Sequence, residues 1–318
     1  IVRCRSSPMA MCLTPFCKST IIPMIMIMMT RNRIFTNTSN MAGILTYDFV
    51  VHALQAAFLA SITCGIIGAY IVARRMVFIS GGITHASFGG IGLGYFLGLN
   101  PILGAAIFSI LSAFGIRLVS KQTDIREDSA IGILWSFGMA VGIIFIYLTP
   151  GYAPNLMSYL FGSILTVTPA DLAFMKVLAV VTVLIFAFFY RTILFISFDE
   201  EYARSHNAPV ETFNYLMLTL VALVIVINIR VAGIILVISY LTIPQSTANL
   251  FVNDLKKIII LSMSISFAGS IIGLFLSYYW NIPSGATIIF VFVVIFGLAR
   301  GLVFLRNIKQ RKRSALGN

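Results

Sequence analysis

One ionisable side chain, His85, stands inside the membrane-length run "MVFISGGITHASFGGIGLGYFLG" at 76–98, among Gly81, Gly82, Gly89, Gly90, Gly92, Gly94 and Gly98. A neutral imidazole in an apolar span is a borderline ligand suited to Zn²⁺, Mn²⁺ or Fe²⁺. It can equally form an interhelical hydrogen bond to a Ser, a Thr or a backbone carbonyl, worth about 0.6 kcal/mol. On residue type alone both readings stand. Helix rising from Arg75 gains roughly 15 Å by His85, which places the imidazole near a bilayer midplane. Gly90, Gly94 and Gly98, spaced by four, offer a small-residue face for close helix contact, to which Gly89 adds. Gly81 and Gly82 permit the helix to unwind locally beside the histidine, as at midplane transport sites. Two further polar residues, Asp48 and His52, are four apart and can face the same way at the outer end of the first span. They suit a weak cation entry point, or simply an interfacial helix start. His206 falls in a loop and reads as solvated.

The acidic residues exclude more than they propose. All ten (Asp48, Asp124, Glu127, Asp128, Asp171, Asp199, Glu200, Glu201, Glu211, Asp254) fall in loops or at span ends. Ion-driven secondary transporters place carboxylates within the membrane, so that class is disfavoured. The sequence has no His-Glu-x-x-His and no Gly-x-Ser-x-Gly, and an enzyme is not expected. After residue 40 the one cysteine is Cys64, which leaves no thiol cluster and no internal disulfide.

The elements that must position these groups are helices. Of 318 residues, 59% are hydrophobic and 10% charged, where soluble domains carry about a quarter charged. Nine apolar stretches approach the roughly 20 residues of a helical span: 49–72, 77–99, 101–119, 129–149, 172–190, 213–229, 231–250, 258–279 and 283–303. The stretches 213–229 and 231–250 almost touch, so an all-α polytopic membrane protein with eight or nine transmembrane helices is predicted. Leu156–Val167 is too short to cross and reads as a re-entrant or interfacial helix.

The net charge of +12 is topological. Fifteen of the 22 basic residues fall in alternate connections and the tail: Arg74, Arg75, Arg117, Lys121, Arg126, Arg191, Arg204, Lys256, Lys257, Arg300, Arg306, Lys309, Arg311, Lys312 and Arg313. By the positive-inside rule these connections and the C-terminus are cytoplasmic, and nucleic acid is not the partner. Residues 1–40 hold five basic and no acidic residues, with Cys4, Cys12 and Cys17. They read as an extension outside the fold, with Met41 as the start of the protein. The expected organisation is then 41–304 as the transmembrane domain and 305–318 as a basic cytoplasmic tail.

The connection "FISFDEEYARSHNAPVETFN" at 195–214 has the punctuation of a short helix. Ser197 and Glu200 form a capping-box pattern, and Asp199, Glu200 and Glu201 suit a first turn. Asn207 tolerates the left-handed conformation that ends a helix, and Pro209 prevents continuation. A helix over Asp199–Ser205 is predicted, with Phe198 and Tyr202 four apart. Three consecutive acids would be repelled by an anionic leaflet, which favours a protein partner over headgroups.

Four segments together resemble the permease subunit of the metal-type ABC importers: "ARRMVFISGGITHA", "DSAIGILWS", "FDEEYARSHNAPV", and "VAGIILVISYLTIPQSTANL" followed by "LSYYWNIPSGATII", with Pro244, Pro283, Ser284 and Gly285 in place. The likeness covers residues 43–303. It implies a homodimer in a bacterial cytoplasmic (inner) membrane, importing by alternating access. A cytoplasmic ABC ATPase would dock on the coupling helix through Phe198, Asp199, Glu200, Glu201, Ala203, Arg204, Asn207 and Pro209. An external metal-binding protein would deliver the cargo. No Gly-x-x-x-x-Gly-Lys-Ser/Thr is present, so ATP would be handled by the partner, and no permanently bound cofactor is expected. Many family members place an aspartate four residues before the histidine, where this chain has Gly81; they usually have glycine where Asn207 stands. Without that carboxylate the site tilts from manganese toward zinc. Zn²⁺ is the first expected cargo, with Mn²⁺ or iron, free or chelated, as the alternatives.

Overall fold

The structure is a computed structural model that describes residues 48–122, 126–150, 160, 162, 164–206 and 209–316. Residues 1–40, expected to lie outside the fold, and Asn207 are not among them. The described residues form helices and no strand. In chain order they are α1 (Asp48–Ala73), α2 (Val77–Phe96), α3 (Pro101–Gln122), α4 (Glu127–Leu148), a 3₁₀ turn (Ile164–Thr166), α5 (Pro169–Phe198), α6 (Glu200–Ser205), α7 (Val210–Ala232), α8 (Ile234–Asn249), α9 (Leu255–Trp280) and α10 (Ser284–Leu316). From Val51 onward the chain packs as one unit, described here.

Seven helices, α1, α3, α4, α5, α7, α9 and α10, are long and apolar enough to cross a membrane. The two other long helices depart from that standard for physical reasons. α2 is diluted by glycines and by Ser80, Thr84, His85 and Ser87, and α8 has only 16 residues. Both are largely buried by protein, so neither needs a lipid-compatible surface. By contrast α5 exposes Phe174, Val177, Val180, Leu184 and Phe188.

The near-contact of two predicted spans becomes a single-residue joint. α7 and α8 are separated only by Gly233, at φ 81° and ψ 161°, a conformation that a side chain resists. Gly162, at φ 61°, lies against the Ala232 backbone so closely that a Cβ would overlap it. Within α8, Pro244 cannot donate to the Tyr240 carbonyl; the Gln245 side chain does so instead, with Nε2 at 2.9 Å. The same amide reaches the Cys64 carbonyl of α1 at 2.8 Å.

Of the expected re-entrant segment Leu156–Val167, residues 156–159, 161 and 163 lie outside the described residues, and the described part contains the 3₁₀ turn Ile164–Thr166. Thr168 then caps α5 reciprocally with Asp171. At the other extremity α10 stays helical to Leu316, through the segment expected as a separate tail.

Candidate functional site

His85 lies in the middle of α2, and α2 packs mainly against α4 and α3. The glycines explain how. A Cβ on Gly90 would overlap the Gly104 backbone of α3, and one on Gly92 the Gly142 backbone of α4. A Cβ on Gly89 would stand 2.9 Å from both the Gly138 carbonyl oxygen and Phe108, and one on Gly94 2.8 Å from Pro101. The place of a Cβ on Gly82 is taken by Ile131, whose side chain would stand 2.5 Å from it. In an apolar solvent helices associate by such close packing, because burying apolar surface drives nothing there. α2 is an unbroken helix, so the expected unwinding around Gly81 and Gly82 is absent. Gly82 is occupied by a neighbour's side chain, and Gly81 is covered by Trp135. Gly98, at φ 65°, serves differently, ending the helix where a left-handed residue is needed.

The hydroxyls of α2 are satisfied on their own helix. Ser80 donates to the Val77 carbonyl at 2.8 Å, Thr84 to Ser80 at 2.6 Å and Ser87 to Thr84 at 2.6 Å. His85 is the exception: its Nδ1 is buried and finds no hydrogen-bond partner. One face of the ring is covered by Trp135 of α4, with centroids 4.1 Å apart and planes 11° from parallel. Trp135 also lies 3.5 Å from where a Gly81 Cβ would stand, and 6.2 Å from the Phe78 ring. Phe78, Gly81 and His85 thus form one strip of α2 under one indole. Among the described residues no three of His, Cys, Asp or Glu assemble as a metal centre. His85 is the one such side chain on α2. Asp48 is exposed and His52 half-buried, both near the start of α1.

The basic end of the molecule carries a second group of residues, all engaged. Arg74, just past α1, donates to the Ile196 carbonyl at 2.6 Å, to Glu200 at 3.2 Å and to Asn214 at 3.3 Å. Arg75 follows at φ 58°, an uncommon conformation for a side-chain-bearing residue, and turns the chain into α2. Arg204 donates to Glu200 at 2.9 Å and Glu211 at 3.0 Å, and Arg117 of α3 reaches Glu211 at 3.2 Å. Five charges of alternating sign thereby join α1, α3, α6 and α7. Three of them, Arg74, Arg117 and Glu200, border a cavity of about 310 Å³ lined also by Met76, Ile79 and Glu127. Partial burial alone would raise the Glu200 carboxyl. Hydrogen bonds from Arg204 and Arg74, with the charges of Arg74 and Arg117, outweigh it and hold Glu200 below the usual carboxylate range.

The short helix forms where expected but is capped differently. Ser197 belongs to α5 and donates back to the Ile193 carbonyl at 2.6 Å, so it caps nothing. Asp199 is the cap, accepting from the Tyr202 amide at 2.8 Å. Phe198 consequently ends α5 and does not share a helix with Tyr202. The expected docking residues divide into two faces. Glu200 and Ala203 turn inward, Ala203 packing with Ile196 and Val210, whereas Phe198, Glu201 and Tyr202 are exposed.

Sequence reasoning missed three groups. Trp135 was visible only as part of a motif; Arg74 and Arg117 were read as topology markers, although the pairing partners Glu200 and Glu211 were in view. At the opposite end Asp171 and Arg230 form an ion pair at 2.5 Å that nothing in their spacing announces.

A family model described as "ABC 3 transport family" matches residues 46–302. An uncharacterized membrane protein of Synechocystis sp. is 41% identical over 259 residues, 81% of this chain and 92% of that protein. A protein named manganese transport system membrane protein in Listeria monocytogenes is 35% identical over 271 residues, 83% of this chain and 96% of its own length. The solved structure of PsaBC from Streptococcus pneumoniae in complex with Fab superposes with a TM-score of 0.75 at 32% identity, covering 81% of this chain and 93% of that one. The glycine-packed helix bundle and the matched span of the chain lead to one conclusion: this is a multi-pass membrane protein of the ABC 3 transport family.

Proposed function

We propose that the chain is the membrane permease of an ATP-driven importer for a divalent transition-metal ion, with His85 as its transient ligand. The observation that carries this reading is the buried, unpartnered Nδ1 of a mid-helix histidine in a segment whose other polar groups are satisfied. A transit ligand has to bind weakly enough to release, and a single imidazole fits that demand better than a closed cage. Two copies would bring two imidazoles to a common path. The basic end and the C-terminus face the cytoplasm, by the charge asymmetry. There Glu201 and Tyr202 on the exposed face of α6, with Phe198 at the end of α5, meet a separate ATPase subunit. An external binding protein delivers the ion at the opposite end, and the membrane is the bacterial inner membrane.

Manganese is the cargo we place first, in agreement with the name of the Listeria relative. Zinc is the second reading, and Gly81 favours it: without an oxygen ligand one turn from the histidine, the site loses the hard donor that manganese prefers. The test is radiolabelled manganese uptake in cells lacking their own importers and expressing this permease with its ATPase and binding protein. Excess zinc or ferrous iron competes in parallel. Uptake that unlabelled manganese abolishes and zinc leaves intact supports the first reading. Label displaced by zinc at lower concentration than by manganese supports the second, and no metal-dependent accumulation by a correctly inserted complex contradicts both.

A further inference from the structure

We infer that Trp135 is a positioning residue of the translocation site, and that its indole occupies the space in which a carboxylate at position 81 would serve. The inference deepens the proposed function and rests on its assignment of His85. Three observations carry it. The indole is stacked on the imidazole at 4.1 Å and 11°, a contact that fixes the ring plane of a side chain lacking any hydrogen bond at Nδ1. The same indole stands 3.5 Å from the Cβ position of Gly81, so a methyl there makes ordinary contact while a longer side chain directed at His85 meets the ring. Finally, Gly81 and His85 are one helical turn apart, the spacing at which two side chains share a face.

A histidine ligand has to be held in orientation, and elsewhere that is done by a hydrogen bond to its second nitrogen. Here Nδ1 has no such partner, and stacking provides the restraint. The consequence is chemical. The site offers a nitrogen and an aromatic face in place of a nitrogen and an anionic oxygen, so its attraction for a divalent ion is lower and its release easier. Indole and carboxylate are alternatives for one space, and this requirement makes the proposal testable by sign as well as size.

The experiment is a double-mutant cycle on metal uptake by the complete importer, with membrane amounts measured by immunoblot. Trp135→Leu is expected to raise the KM for manganese about five- to tenfold while leaving Vmax per inserted permease unchanged. Trp135→Phe, which keeps a flat ring, is expected to raise it about twofold. Gly81→Asp alone impairs uptake because the indole blocks its carboxylate. In the Trp135→Leu background the same substitution restores the KM to within about twofold of the parent. Effects that multiply independently would overturn the proposal, as would Trp135→Leu lowering only the inserted amount or leaving uptake at the parent level.

Where Trp135→Leu fails to insert, full-length Trp280→Phe in lipid nanodiscs leaves Trp135 as the sole tryptophan. Saturable quenching of its fluorescence by Mn²⁺, abolished by His85→Ala, supports the proposal; absence of quenching in a transport-competent protein overturns it. A defective His85→Ala beside an unaffected Trp135→Leu refutes this inference alone. A fully active His85→Ala refutes the functional reading beneath it.

Discussion

The middle of α2 and the basic end of the bundle treat polar groups in opposite ways. Around His85 a buried nitrogen is left unpartnered, beside hydroxyls that have all been satisfied on their own helix. Around Glu200 each of its carboxylate oxygens is held, one by Arg74 and the other by Arg204 and Asn214. An unpartnered buried group costs about 1–3 kcal/mol, a cost that a cation pairing with it in transit would offset. A carboxylate held on both oxygens, by contrast, transmits position between the helices that its partners belong to. In the proposed function the first region receives a passing cation, and the second is a joint between α6 and the helices it is paired to. The remaining predictions break one region while leaving the other.

The largest effect is expected from the glycine contacts that bring α2 against its neighbours. Gly90→Val and Gly92→Val put side chains into backbone that cannot yield, and overpacking of this kind costs about 1–3 kcal/mol or more. Both variants should lose the monodisperse, detergent-stable permease by size-exclusion chromatography. Gly132→Ala, which meets nothing within 4 Å, should be indistinguishable from the parent. Equal behaviour of all three would remove close packing as the reason for the glycines.

A smaller effect separates the two faces of α6. Glu200→Ala strips Arg74 and Arg204 of a shared partner, and with side chains 15% and 30% exposed for Arg74 and Glu200 the loss of that pair is about 1 kcal/mol. Its melting temperature should fall, whereas Glu201→Arg should leave melting unchanged and weaken co-purification of the ATPase. Reversed outcomes would reassign the faces.

The smallest effect is a pH dependence. Because the Glu200 carboxyl is held below its unfolded value, the stabilisation is complete above the unfolded carboxylate pKa near 4.3 and is lost as pH falls through the lower folded value. Melting temperature should drop more steeply below about pH 4.3 in the parent than in Glu200→Gln. Parallel curves would separate the cluster from acid stability.

Much of this was legible in the sequence, for particular reasons. The spans were, since runs of apolar residues bounded by charge leave a helix little alternative in a membrane. So was the near-contact of 213–229 with 231–250, although the sequence put the junction at residue 230 and the break falls at Gly233. The short acidic helix was found, but Ser197 was misread as its cap because α5 runs on through it and consumes the hydroxyl. The α2 glycines were read as contact residues and as a place where the helix can unwind; here the helix is continuous through them and its neighbours approach closely. Their partners Gly104, Gly138 and Gly142 were in plain view, yet a pairing between helices is invisible without the rotation of each. For the same reason Trp135 could not be placed over His85, nor Arg74 beside a residue 126 positions away.

The most direct test of the account is manganese uptake by proteoliposomes containing the assembled importer with His85→Ala, measured beside ATPase co-purification and melting temperature. The account predicts loss of uptake with assembly and melting at the parent level. Parental uptake by the correctly assembled variant would contradict it and return His85 to the role of a packing residue.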